Sequence, residues 1–224
     1  MADEPRWTRR RFLGASAAGA VGAAGLVLAG CSLDRNSSPD DAAGTRDAAW
    51  GGDLVAPPLG KPDVTFTTMD GKPFPFRAAT AGKLTMLFFG YTHCPDQCPV
   101  YLNTLARARD AIGSGPGSKP LVLFVGVDRK RDTPEVLKTY LGRIDPTFVG
   151  LTGSEQVINE ANDSLHFPPI EIGKPDANGD YLVGHYAQAV AYTPDGKGRR
   201  LYGFDVRQQQ FVHDLPRLAE GTYK

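Results

Sequence analysis

The sequence predicts an α/β domain in which a mixed sheet is flanked by helices, with a β-hairpin near each end. Three observations carry this. Leu84–Tyr91 and Pro120–Val127 are almost unbroken apolar runs, as expected of strands buried on both faces. Each is followed by a segment with helical features, either apolar spacing or capping residues. The turn signals Asp70-Gly71 and Pro194-Asp195-Gly196 each separate two extended segments, which makes those parts antiparallel.

The first 30 residues lie outside this fold. Thr8-Arg9-Arg10-Arg11-Phe12-Leu13-Gly14 followed by an Ala/Gly-rich run resembles a twin-arginine export signal. Leu28-Ala29-Gly30-Cys31 resembles the bacterial lipoprotein box, in which Cys31 becomes the lipid-modified first residue. An uncleaved anchor is the other reading, but a run so rich in Gly and Ala is a poor membrane span. Both readings place the domain on the extracytoplasmic face of the cell membrane. Residues 31–62, rich in Ser, Asp, Ala, Gly and Pro, read as the lipidated cysteine and a flexible tether. About 30 such residues reach about 30 Å. Trp50 reads there as an exposed aromatic or a small docking contact.

Residues 63–224 form the predicted domain. Val64–Thr68 and Pro73–Phe76 make the first hairpin. The strand Leu84–Tyr91 runs into Thr92-His93-Cys94-Pro95-Asp96-Gln97-Cys98-Pro99. Leu102, Leu105, Ala106 and Ile112 then mark a helix, with Pro99 at its first position and Cys98 near its N-cap. After Pro120–Val127, Asp132-Thr133-Pro134-Glu135 carries capping signals for a helix to about Ile144. Phe148–Leu151 is a short strand, and Ser154 caps a helix to about Leu165. Residues 167–180, with Pro168, Pro169 and Pro175, read as an irregular insertion. Tyr181–Tyr192 and Arg199–Phe204 form the second hairpin, and Asp205 caps a last helix to about Glu220. A strand, a cysteine loop and a helix in that order are the signature of the thioredoxin-like architecture. Sites in such sheets lie at the carboxyl ends of strands, where Cys94, Cys98 and Asp128 fall.

Composition excludes some classes. Without residues 1–30 the chain is close to neutral, at about −2, so no basic surface points to nucleic acid. Nothing after Cys31 is long and apolar enough to span a membrane.

The chemistry centres on Cys94 and Cys98. Thiolates near a helix N-terminus are stabilised by its dipole and free N–H groups. The pair can close a disulfide or hold a soft metal ion, Cu(I) above all, with zinc also accommodated. A purely structural disulfide across so short a loop would constrain the unfolded chain little. An imidazole is the natural third metal ligand. His93, His166, His185 and His213 are available, and spacing does not choose among them.

The chain resembles the Sco/SenC family of thioredoxin-like, copper-binding proteins. The resemblance rests on Phe88–Pro99 (Phe-Phe-Gly-Tyr-Thr-His-Cys-Pro-Asp-Gln-Cys-Pro) and Val127–Glu135 (Val-Asp-Arg-Lys-Arg-Asp-Thr-Pro-Glu). Leu151-Thr152-Gly153, and His185 with Pro194-Asp195-Gly196 nine residues on, add to it. It implies copper as the cofactor and Cys94, Cys98 and His185 as its ligands. Asp128 becomes a conformational or partner-facing residue beside the site; His93, next to Cys94, is read separately as a residue that supports the ligands. It also implies delivery of copper to the binuclear centre of cytochrome c oxidase subunit II, or reduction of that centre's thiols. The chain departs from the family at Tyr186, where a small hydroxyl residue is common, and in the insertion 167–180.

Three rivals stand beside this reading. Thiol–disulfide oxidoreductases usually space their cysteines by two residues rather than three. Peroxiredoxins carry Pro and Thr where this chain has Leu87 and Tyr91. A copper-storage or copper-sensing protein with no delivery target satisfies every ligand argument, while the delivery reading extends to another cuproprotein as partner.

Overall fold

The computed structural model describes residues 50–223. Cys31, the export signal and the first part of the tether lie outside the described residues. The elements are β1 (Asp53–Leu59), β2 (Thr65–Thr68), β3 (Pro73–Pro75), α1 (Phe76–Ala79), β4 (Thr85–Gly90), α2 (Gln97–Ile112), β5 (Leu121–Gly126) and α3 (Pro134–Gly142). There follow β6 (Val149–Thr152), α4 (Glu155–Ser164), β7 (Glu171–Ile172), β8 (Val183–Gly184), β9 (Ala189–Tyr192), β10 (Gly198–Tyr202) and α5 (Gln208–Ala219). Eight strands form one sheet in the order β1-β10-β9-β4-β5-β6-β2-β3, and β7 pairs with β8 separately. β4, β5 and β6 are parallel, and the outer strands join them antiparallel. The fold is thioredoxin-like and mixed α/β, with a hairpin at each end of the domain as expected.

The pleat explains the continuous apolar runs. Along β4, Met86 and Phe88 enter one core with Leu102 and Leu105 of α2, Leu137 and Leu141 of α3, and Phe211 and Leu215 of α5. Leu87 and Phe89 point the other way, into a second core with Ile158 and Ala161 of α4 and Phe76 of α1. Both faces of the central strands are therefore dry.

Several boundaries move. Asp53–Leu59, which composition reads as tether, is an edge strand on β10. Its Pro57 and Pro58 are tolerated because an edge strand leaves N–H positions unused. Trp50 is half-buried, not exposed. Arg200 lies 3.9 Å from its ring, and His213 meets it edge-on. The span 181–192 is two short strands, because His185–Gln188 leaves the ladder. α5 is capped by Arg207, whose N–H donates to the Gln210 side chain at 2.8 Å, rather than by Asp205. His166 ends α4 with a left-handed backbone, φ 57°, a conformation in which His is enriched.

Candidate metal centre

β4 and β5 both end in glycine, and the two pair directly in register, Gly90 beside Gly126. A Cβ on Gly90 would sit 2.6 Å from the Phe124 ring and 3.1 Å from Cys98 Sγ. One on Gly126 would sit 2.7 Å from Asp132 Cβ. The missing side chains thus make room for a thiol over one strand end and a carboxylate over the other.

Asp96 caps α2 by accepting from Gln97 N–H at 2.6 Å. The helix therefore starts two residues earlier than Pro99 implies. Asp is a much better N-cap than Cys, and Pro99 still falls in the first turn, where its missing N–H costs nothing. Cys98 lies in that first turn and is fully buried, whereas Cys94 is half-buried in the loop. Both thiols are free. Cys94 Sγ accepts the Cys98 backbone N–H at 3.4 Å. A hydrogen bond from the Cys98 thiol, opposed by partial burial and helped by backbone N–H groups of Cys98, Asp96 and Gln97, lowers the Cys94 pKa to about 5. The Cys94 sulfur as hydrogen-bond partner, and then burial, push the Cys98 thiol far up. The resting pair is a thiolate at Cys94 and a thiol at Cys98, sharing one proton.

His185 is half-buried, its ring edge-on to Tyr91 at 5.7 Å and to Phe88 at 6.2 Å. Nδ1 donates to the Tyr186 carbonyl at 3.2 Å, which leaves the Nε2 lone pair free. Burial lowers its pKa, opposed by that hydrogen bond and by the charge of Cys94, so the ring is neutral near pH 7. Two soft sulfurs and a neutral imidazole suit a thiophilic ion. Among the described residues, however, no three His, Cys, Asp or Glu side chains converge into a ready donor cluster. The sulfurs are adjacent, and the His185 ring packs edge-on against Tyr91 and Phe88.

The remaining histidines sit elsewhere. His93 is exposed, its Nδ1 3.1 Å from Thr92 Oγ1. Thr92 Oγ1 donates to Asp132 at 2.7 Å, so it accepts from His93. His166 is exposed, and His213 lies on α5 with Nδ1 2.7 Å from Asp214. Asp128 is buried at the end of β5. It accepts from Tyr181 Oη at 3.0 Å and is paired with Arg131.

Asp132 has a role that its sequence context hid. Of the two caps the sequence offers, Asp132 and Thr133-Pro134, the second caps α3, and the Asp132 carboxylate turns inward to Thr92 and to the Asp128 N–H. Arg131 and Tyr181 also carry no local signal. The Val127–Glu135 motif and Asp128 marked this loop in the sequence, but not the inward turn of Asp132.

Residues 58–220 match the SCO1/SenC family. The chain is 34% identical over 143 residues to the mitochondrial SCO1 homolog 1 of Arabidopsis thaliana, covering 64% of this chain and 40% of that protein. It is 35% identical over 123 residues to an SCO2-like protein of Rickettsia felis, covering 55% and 58%. The match thus spans about half the length of these relatives. Among solved structures, copper-bound ScoI of Bradyrhizobium japonicum superposes with a TM-score of 0.63 at 32% identity. The match covers 71% of this chain and 99% of that one. Copper-bound ScoI of Arabidopsis thaliana gives 0.64 at 30%, covering 72% and 98%. With the two-cysteine loop at the head of α2 and the match running from β1 into α5, this chain belongs to the SCO1/SenC family.

Proposed function

We propose that this chain is an extracytoplasmic copper-binding protein that holds copper through Cys94, Cys98 and His185 and assists assembly of the binuclear copper centre of cytochrome c oxidase. The observation that carries the reading is the free thiol pair at the N-terminus of α2, with Cys94 Sγ accepting the Cys98 backbone N–H. Metal binding must expel thiol protons, and the lowered pKa of Cys94 makes the first of them easy to lose. Copper supplies a soft, thiophilic centre that cycles between two oxidation states. Cys94 offers a partly accessible sulfur, Cys98 a buried one, and His185 a neutral nitrogen that adds no charge. Family relatives solved with copper bound support the assignment.

The deciding experiment is anaerobic Cu(I) titration of the domain from residue 50 onward, with metal analysis. One copper per chain is expected. Replacing either cysteine by Ser should weaken binding by several orders of magnitude. Unchanged one-to-one binding in the double Ser variant defeats the reading.

A second reading, thiol–disulfide reduction of partner cysteines, is favoured by the same asymmetry. Cys94 thiolate attacks the partner's disulfide, one partner sulfur leaves as thiolate, and a mixed disulfide forms. Cys98 loses its proton and displaces the second partner sulfur, so the partner gains two electrons and this chain ends as its own disulfide. Catalytic turnover of a disulfide substrate by the copper-free protein would favour this over delivery.

Membrane attachment through Cys31 belongs to the same proposal. Two acyl chains, each buried CH₂ contributing about 0.8 kcal/mol, hold a protein on a bilayer. Cys31→Ala should block processing and leave a heavier band. Full-length wild-type protein in the cytosol would contradict the anchor.

A further inference from the structure

The ribbon that leads into the His185 segment has little to hold it at its tip. Residues 171–180 are all exposed, so the tip of the β7–β8 hairpin buries no side chain. β7 and β8 pair only with each other, not with the main sheet. Of the residues leading to His185, Val183 is buried but Leu182 and Gly184 are exposed. A short, separately paired ribbon with so few core contacts is expected to open more readily than the sheet beneath it.

One side chain spans the gap between this ribbon and the cysteine loop. Arg131 Nε pairs with the Asp128 carboxylate, and another guanidinium nitrogen donates to the Tyr181 backbone carbonyl at 2.8 Å. The guanidinium stacks 3.6 Å from the centre of the Tyr181 ring and lies 5.9 Å from that of Tyr91. Tyr181 closes the loop by donating its hydroxyl to Asp128 at 3.0 Å. Tyr91, on the other side, is one of the two rings against which His185 packs. The same turn reaches the cysteine loop a second way, since Asp132 holds Thr92. A fork of donors that reaches a buried carboxylate and a backbone carbonyl at once, and a flat cation over one ring, are what an arginine supplies and a lysine does not.

We propose that Arg131 is a positioning residue: by clamping Tyr181 to Asp128 against Tyr91, it holds the His185 segment beside Cys94 and Cys98. This deepens the copper reading, and the link to metal rests on His185 being the third ligand. The clamp itself is a property of the metal-free protein. It fixes the approach of the nitrogen donor while leaving the two sulfurs untouched. Its loss therefore acts on the state that needs three ligands and spares the state that two sulfurs satisfy.

The test uses the domain from residue 50 onward, with hydrogen exchange on the copper-free protein and titration with Cu(I) and Cu(II) ions. Arg131→Gln should speed exchange at residues 181–186 by about tenfold, since a charge-assisted bond and a stacked cation are both lost. Exchange in β4 and β5 should stay as in wild type. Cu(II) affinity and its thiolate charge-transfer band should fall by about 10- to 100-fold in binding, as for other residues that orient a ligand. Cu(I) binding should change by less than about threefold, because linear sulfur ligation suffices. Tyr181→Phe, which keeps the stacking and loses one hydrogen bond, should show a smaller change in the same direction. Arg131→Lys should restore the charge without the fork and rescue only in part. Unchanged exchange at 181–186 in both Arg131→Gln and Tyr181→Phe overturns the clamp. So does equal loss of Cu(I) and Cu(II), or exchange that rises throughout β4 and β5 in Tyr181→Phe as well. If wild type binds no copper while the exchange pattern appears as stated, the copper reading fails and the clamp stands.

Discussion

One oxygen of Asp132 accepts both the backbone N–H and the hydroxyl of Thr92, at 2.9 and 2.7 Å. The other accepts the Asp128 N–H at 3.0 Å. The carboxylate is fully buried, and all three of its hydrogen bonds go to fixing two loops. Asp132→Asn replaces one acceptor by an N–H₂ donor. In either orientation of the amide, a donor then faces a backbone donor. An unsatisfied buried pair costs about 1–3 kcal/mol, and the urea midpoint should fall accordingly. Unchanged stability in the Asn variant would contradict this account.

Gly90 and Gly126 yield a second prediction. Gly90→Ala drives a methyl into the Phe124 ring and against Cys98 Sγ. Overpacking of this kind costs about 1–3 kcal/mol, and here the strain falls on a sulfur of the site. Metal affinity should therefore drop together with stability. Gly60→Ala is the control, since a Cβ there meets nothing within 4 Å. Equal behaviour of the two variants in thermal unfolding and copper titration would remove the argument.

The thiols make stability depend on pH. Cys94 has a folded pKa of about 5, below the ordinary thiol value of about 8.5. Between those values the unfolded chain holds a proton that the folded one has released, so stability rises with pH. The gain is complete above about 8.5 and lost as pH falls through about 5. Cys98 is shifted up, so its contribution is present below about 8.5 and fades at higher pH. The reduced, metal-free domain should show a thiol-dependent maximum near pH 8.5, and Cys94→Ser should flatten the rise between pH 5 and 8. Denaturant midpoints across this range test it. A rise that persists in Cys94→Ser assigns the effect to other groups.

The sequence made the central strands and the cysteine loop legible because their signals are local. Leu84–Tyr91 is apolar at every pleat position but Thr85 and Gly90, and Cys94 and Cys98 lie only four positions apart in the chain. β1 escaped notice because Pro57 and Pro58 give an edge strand the composition of a linker. The start of α2 shifted because Asp96 competes better for the cap than Cys98. The inward turn of Asp132, and the meeting of Arg131 with Tyr181 fifty residues away, depend on how separate loops pack, and no spacing rule reports that. For the histidines, local context correctly placed His213 on a helix, but the surroundings of His185 come from Phe88 and Tyr91 on another strand.

His185 and His93 can be separated by spectroscopy. His93 adjoins Cys94 in sequence, yet its ring is exposed and its Nδ1 is engaged with Thr92. His185 is distant in sequence, yet it is packed beside the cysteine loop with Nε2 free. Two thiolates and Cu(I) carry a net charge of −1, and a neutral imidazole adds a ligand without adding charge. Cu(I) accepts two sulfurs alone, whereas Cu(II) prefers the extra nitrogen. His185→Ala should therefore abolish the thiolate-to-Cu(II) charge-transfer absorption while measurable Cu(I) binding persists. His93→Ala should keep the absorption and lose at most about 10- to 100-fold in affinity, as a residue that only supports the ligands would. The opposite pattern, with the spectrum lost in the His93 variant and kept in the His185 variant, would move the third ligand from the β8 segment to the cysteine loop. The clamp formed by Arg131 and Tyr181 would then have no ligand to position.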